Sequence, residues 1–207
     1  MKQIIFILGL PRSGTTLVQR ILSNSAEIRT APESWLFLPF LSFRKPGHQK
    51  AVYGARPALT AINAFLDNED DLESSIAGAI KHYLKNKYPD ERYFCEKTPR
   101  NLLYADTLRK WYPDERYLVI NRNPLNVAAS IFRTFEKGVL NPYKFQVDLD
   151  LGMRNLIALN RHPEGALIIR YEDLTRDPQA TLKQCSQFLD LEVSLDHSQD
   201  LPKLIGE

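Results

Sequence analysis

Cysteine is scarce in this 207-residue chain: Cys95 and Cys185 are the only two, far apart and in no CxxC or Cys/His spacing. That scarcity excludes a disulfide framework and leaves a zinc site without support; two free thiols in a reducing compartment are expected. The four histidines, His48, His82, His162 and His197, fall in no catalytic or metal-ligand spacing, and each reads as a surface or partly satisfied side chain. An excess of one charge is missing too, since 27 Lys and Arg stand against 25 Asp and Glu, interspersed, for a net charge of +2. Without a basic block there is no nucleic-acid arm and no polybasic membrane patch. No run reaches the ~18 apolar residues of a membrane span. The apolar stretch after Lys2 imitates a signal peptide, but it is short and meets Pro11 and Arg12 where a small-residue cleavage site would stand. A cytoplasmic chain that neither inserts in membranes nor binds nucleic acid is expected, with the oligomeric state left open.

What the chain does have is 43% hydrophobic content, enough for a full core in one domain over residues 1–207. Continuous apolar runs of strand length occupy residues 3–9, 116–121 and 166–170, with weaker candidates near residues 27 and 92. Unbroken runs suit strands covered on both faces. Helical periodicity lies between them: residues 15–24 follow the first run directly, and Leu72, Ile76, Ile80 and Leu84 recur at a four-residue step. Pro99, Pro124 and Pro178 sit at helix starts, where a missing N–H costs little. Alternating strand and helix predicts an α/β fold, a three-layer arrangement with a central parallel sheet of about five strands. Residues 39–71, rich in Pro, Gly and positive charge, break the rhythm and read as an irregular insertion or lid.

The first strand runs into GLPRSGTT, residues 9–16, whose Gly9 and Gly14 have the spacing of a phosphate-binding loop. Glycines let the backbone curl until successive N–H groups point inward, and the following helix adds its positive end. Thr15 stands where a nucleotide triphosphatase carries the lysine that reaches the β and γ phosphates. Arg12 lies inside the loop instead, which moves the positive charge upstream and suits a shorter donor without a γ phosphate.

LPRSGTT resembles the loop that grips the 5′-phosphosulfate in sulfotransferases dependent on 3′-phosphoadenosine 5′-phosphosulfate (PAPS), in particular the bacterial and tyrosine-protein branch. The resemblance implies that Arg12, Ser13, Gly14, Thr15 and Thr16 hold the 5′ end and that no metal is needed. YLVINRNPLNVAASIFR, residues 117–133, resembles the family's 3′-phosphate site, a strand-end arginine followed eight residues later by a serine. Arg122 would supply a bidentate charged contact and Ser130 a hydroxyl. Each also has a plain reading, Arg122 as a solvated strand cap and Ser130 as a helix serine bonded to its own backbone. The family more often has Asp where this chain has Asn123. RYEDL, residues 170–174, resembles the Tyr-Glu-Asp motif after a late strand, which implies a place for Tyr171 near the cofactor; its acids could otherwise pass for metal ligands.

Sulfuryl transfer needs an aligned nucleophile, a neutralised leaving phosphate and a base. Arg12 and Lys97, the latter in CEKTPR at the end of a strand, are the candidates for charge neutralisation. The small-molecule branch has Lys-Thr-His where this chain has Lys97, Thr98 and Pro99, so that branch's histidine base is absent. By resemblance to the tyrosine-protein branch, Glu33 in RTAPESW falls where the catalytic glutamate stands. The alternatives are a helix-capping Glu33, with Glu96 as base. Many family members continue past the last helix with a segment over the 3′ phosphate and adenine, and LPKLIGE holds no match for it, which implies a compact variant, a cover from another subunit, or reduced activity. The expected function is PAPS-dependent transfer to a small-molecule, saccharide or peptide acceptor. A P-loop kinase or nucleotidase using Mg-ATP, and a non-catalytic binder of adenosine 3′,5′-bisphosphate, are the alternatives.

Overall fold

QIIFILG has no polar alternation because neither of its faces meets water. In the computed structural model, which describes residues 1–195 apart from Arg44, Pro46, Gln49, Ala51 and residues 136–141, this segment is the middle strand of a five-stranded sheet. Ile4, Phe6 and Leu8 point into one core cluster and Ile5 and Ile7 into another. The strand propensity of β-branched and aromatic residues and burial on both sides act together here.

The strands are β1 (Gln3–Gly9), β2 (Ile28–Thr30), β3 (Tyr93–Glu96), β4 (Arg116–Asn121) and β5 (Ala166–Arg170). They lie in the order β2-β3-β1-β4-β5, and every neighbouring pair is parallel. The weaker candidates near residues 27 and 92 thus form β2 and β3. The helices α1 (Thr15–Leu22), α2 (Leu38–Leu41), α3 (Ala55–Phe65), α4 (Glu69–Lys87), α5 (Ala105–Trp111), α6 (Pro124–Phe135), α7 (Gln146–Leu149), α8 (Leu151–Arg161), α9 (Tyr171–Arg176) and α10 (Pro178–Leu189) connect them, with 3-10 segments at Pro99–Tyr104 and Pro142–Phe145. The stretch 39–71, read as irregular, carries most of α2, all of α3 and the start of α4. Its Pro and Gly delimit helices: Gly54, at φ 80°, precedes the first turn of α3.

One layer of the core gathers Phe6, Phe37, Tyr112 and Tyr117, with Phe6 stacked on Tyr117 at 5.4 Å and edge-on to Phe37 at 5.2 Å. The other packs Leu17, Val18, Ile21 and Leu22 of α1 and Leu182, Cys185 and Leu189 of α10 against Ile5, Ile7, Leu118 and Ile120. Because the sheet is parallel throughout, the C-terminal ends of all five strands share one edge. The connection leaving β1 runs to β2 on one side and the connection leaving its neighbour β4 runs to β5 on the other, which opens a crevice beyond that edge between β1 and β4.

Candidate functional site

The turn that leaves β1 is tight for reasons visible in its glycines. A Cβ on Gly9 would stand 2.7 Å from Ser13 Oγ and 3.0 Å from the Ile120 carbonyl oxygen, and one on Gly14 would stand 2.4 Å from Tyr171 Cδ2. Gly14 also has φ 104° and ψ 8°, the left-handed region that side chains resist, where it caps the N-terminus of α1. Arg12 occupies the same region, φ 66°, with no glycine to ease it, and such strain persists only where its surroundings enforce it. Ser13 N donates to Leu10 O at 3.1 Å and closes the turn. Ser13 is buried, and among the described residues its Oγ has no partner. Thr15 is buried at the first position of α1, while Thr16 and Arg12 face solvent. No acid stands in the first turn of α1, so the positive end of the helix is left to an outside anion.

Beyond β4, Asn123 Oδ1 accepts from Leu125 N at 2.9 Å and caps α6. That is how an asparagine serves at the position where aspartate is the commoner choice: the cap needs an acceptor, not a charge. Arg122 turns back toward the first loop, where Nη1 donates to the Arg12 carbonyl oxygen at 2.8 Å. Its guanidinium lies 4.1 Å from the centre of the Tyr171 ring, and among the described residues its buried Nε has no partner. Arg12 Nε donates to Ser130 Oγ at 3.3 Å. Two motifs 110 residues apart in sequence therefore share one cationic cleft.

RYEDL supplies the third wall. Tyr171 opens α9 and fills the space above Gly14. Glu172 Oε1 accepts from Asn123 N at 2.9 Å and fastens the β4–α6 turn to the end of β5. Asp173 pairs with Arg170 at 3.9 Å and Arg176 at 3.7 Å, near solvent. Neither the Glu172 tether nor the Arg122–Tyr171 stack was read from the sequence; the strand pairing Asn121 to Arg170 makes them neighbours, and no spacing signals it.

Across β1, Lys97 leaves the end of β3 with only 5% of its surface exposed, and its Nζ donates to Glu33 Oε1 at 3.0 Å. Glu33 is 39% exposed. Its segment is held by α1, since Gln19 Nε2 donates to Thr30 Oγ1 and to Ala31 O, both at 2.7 Å. Glu96 has a different fate. Its carboxylate is buried, with Oε2 accepting from Ser34 Oγ at 2.6 Å and Oε1 from Thr98 Oγ1 at 2.7 Å and Asn101 Nδ2 at 3.1 Å. Burial raises its pKa above the ordinary value, against the opposing pull of those donors and of Lys97. Locked in this way it braces the two strand exits, and the geometry favours Glu33 over it as the exposed carboxylate.

The sequence profile described as "Sulfotransferase family" matches residues 4–195. The chain belongs to the sulfotransferase family. Among curated relatives, the nodulation protein NoeE of Sinorhizobium fredii is 34% identical over 135 residues, covering 64% of this chain and 32% of its own length. A putative protein-tyrosine sulfotransferase of Caenorhabditis briggsae is 22% identical over 200 residues, covering 93% of this chain and 67% of its own. The chain thus spans between a third and two thirds of these two relatives. Among solved structures, the sulfotransferase domain from the curacin biosynthetic pathway superposes with TM-score 0.62 at 26% identity, covering 95% of this chain and 76% of that one. The sulfotransferase domain from the Synechococcus PCC 7002 olefin synthase does so with TM-score 0.64 at 23% identity, over 97% and 80%. The family and the five-stranded parallel fold expected from LPRSGTT and the apolar runs are both found. Among the described residues no helix is long and apolar enough to cross a membrane; His197 and the LPKLIGE segment lie outside them.

Proposed function

We propose that the chain moves a sulfuryl group from PAPS to a hydroxyl or amine acceptor, with Glu33 as general base. The observation that carries this reading is the convergence of Arg12, Arg122 and Ser130 in one cleft beside a lysine-free glycine loop. The residues fit the donor on a test internal to the structure: among the described residues Ser13 Oγ and Arg122 Nε are buried without acceptors, and a buried donor left unpaired is costly. A phosphosulfate and a 3′ phosphate offer both an acceptor.

In this reading Arg12, Ser13, Gly14, Thr15 and Thr16 hold the 5′ end, Arg122 and Ser130 the 3′ phosphate, and Tyr171 keeps Arg122 flat against its ring. The bound donor supplies an electrophilic sulfur and a phosphate leaving group. Arg12 faces the charge that grows on that phosphate. Lys97 Nζ, 3.0 Å from Glu33 Oε1, orients the carboxylate toward the acceptor proton. Once Glu33 has taken that proton its hold on Lys97 weakens, and the ammonium becomes available to the leaving oxygen. The free buried thiols Cys95 and Cys185 suit a reducing compartment, and a cytoplasmic site of action is part of the proposal.

The test is a thermal-shift titration with adenosine 3′,5′-bisphosphate beside ATP plus magnesium. A ligand at about 100 times its Kd adds roughly 2.7 kcal/mol. Stabilisation by the bisphosphate without metal, lost in Arg122→Ala, is the expected result. Stabilisation by magnesium-ATP alone would replace the reading with a kinase, and tight bisphosphate binding without transfer to a broad acceptor panel would replace it with a nucleotide-binding protein.

A further inference from the structure

A cavity of about 530 Å3 opens between α2, the 3-10 segment Pro99–Tyr104 and α7. That volume is in the range of small-molecule sites. Two of its walls continue the segments that carry the proposed chemistry, for Trp35 lies two residues after Glu33 and Arg100 three after Lys97. The segments are laced together by Ser34 Oγ to Glu96 at 2.6 Å and by Trp35 N to Thr98 Oγ1 at 3.4 Å. Trp35 is held at φ 54° with 48% of its surface exposed, a costly way to keep a large ring out of the core. Leu38, Pro39, Leu103 and Val147 add apolar lining, and Ser42, His48 and Tyr104 add polar atoms.

Among the described lining residues Arg100 is the one fixed cation; the titratable ring of His48 is hydrogen-bonded through Nδ1 with Tyr104 OH at 2.8 Å. The Arg100 side chain is 43% exposed, and its Nη2 makes one long contact, 3.4 Å, with the buried carboxylate of Asp148. Among the described residues its other N–H groups have no partner. Burial pushes the Asp148 carboxyl above its ordinary value, against the opposing pull of Arg100. An arginine with free donors in a partly apolar cavity matches a carboxylate on an otherwise apolar molecule.

We propose that this cavity is the acceptor pocket and that it selects a hydroxy acid, with the apolar body against Trp35 and Leu103, the carboxylate on Arg100 and the hydroxyl toward Glu33. This rests on the reading of Glu33 as base. In the step, the hydroxyl oxygen bonds to the sulfur of the phosphosulfate and its proton passes to Glu33. The bond from sulfur to the bridging phosphate oxygen breaks, and its electron pair leaves with adenosine 3′,5′-bisphosphate.

The experiment is calorimetric titration of the protein, with and without adenosine 3′,5′-bisphosphate, using 3-(4-hydroxyphenyl)propionate against its amide and 3-hydroxydecanoate against its methyl ester. Turnover of the same pairs with PAPS runs alongside. The acid is expected to bind about tenfold more tightly than its neutral counterpart in at least one pair. Arg100→Gln, and Arg100→Gln with Asp148→Asn to spare the buried carboxylate, are expected to erase the difference, and Trp35→Ala to weaken both members equally. Equal binding of acid and neutral forms, or a preference that survives both Arg100 variants, overturns the proposal. Absence of bisphosphate binding would overturn the donor reading instead, and the titrations without nucleotide would still decide for or against the pocket.

Discussion

Among the described residues Glu33 has one partner, the Lys97 ammonium, and an open side toward solvent, whereas Glu96 on the neighbouring strand exit is shut in with three donors. Their replacement by glutamine should separate two kinds of loss. Glu33→Gln is expected to lower kcat by about a hundredfold to ten-thousandfold, the range of general-base catalysis, with bisphosphate affinity retained; an unchanged kcat would remove Glu33 from the mechanism. Glu96→Gln should leave its mark on stability against pH. In the unfolded chain this carboxyl titrates near 4.5, and in the folded protein higher. Between the two values the folded state keeps a proton that the unfolded state has lost, so stability falls as pH rises through that window. Urea denaturation across the window should show a shallower fall in the variant, whose amide can still accept from Thr98 and Asn101 and donate to Ser34. Arg12, Arg122 and Ser130 were legible in the sequence because each sits at a fixed offset within a local motif. The bracing role of Glu96 was not, since Ser34 reaches it across 62 positions.

The loop, α9 and the β4–α6 turn behave as one unit, because Tyr171 touches both Gly14 and Arg122 while Glu172 holds Asn123. Gly14→Ala meets the left-handed backbone and the Tyr171 ring together, and a loss of at least about 1–3 kcal/mol in urea denaturation is expected. Tyr171→Ala should fold, and it should weaken bisphosphate binding by releasing Arg122 from its stack. A measured affinity equal to that of the unaltered chain would mean that the Arg12 carbonyl alone orients the guanidinium. At this scale the apolar runs exposed β1, β4 and β5 at their true bounds: burial on both faces leaves an unbroken signal in β1 and β4, and the half-buried edge strand β5 keeps an apolar run, Ala166 to Ile169. The three-residue β2 gave a weaker one. Helix α3 was missed although Leu59, Ile62 and Phe65 recur at three-residue steps, because the Pro, Gly and charge around it read as irregular chain.

At the scale of the whole molecule, the order β2-β3-β1-β4-β5 is not written in any segment, yet it decides which motifs meet. Residues near 12, 122, 130 and 171 meet beyond one part of the C-terminal edge and residues 33 and 97 pair beyond another, through contacts that span 64, 110 and 118 positions of chain. Parallel sheets built from such distant segments form slowly, because loop closure must be met before the contacts repay it. A ligand that bridges the loop and the β4–α6 turn can therefore engage only the finished sheet. It should lengthen the lifetime of the native state without hastening its arrival: adenosine 3′,5′-bisphosphate is expected to slow unfolding in a stopped-flow experiment and leave the refolding rate unchanged. Under the proposed nucleotide binding, the supply of nucleotide in a cell would act as a brake on the turnover of the protein itself.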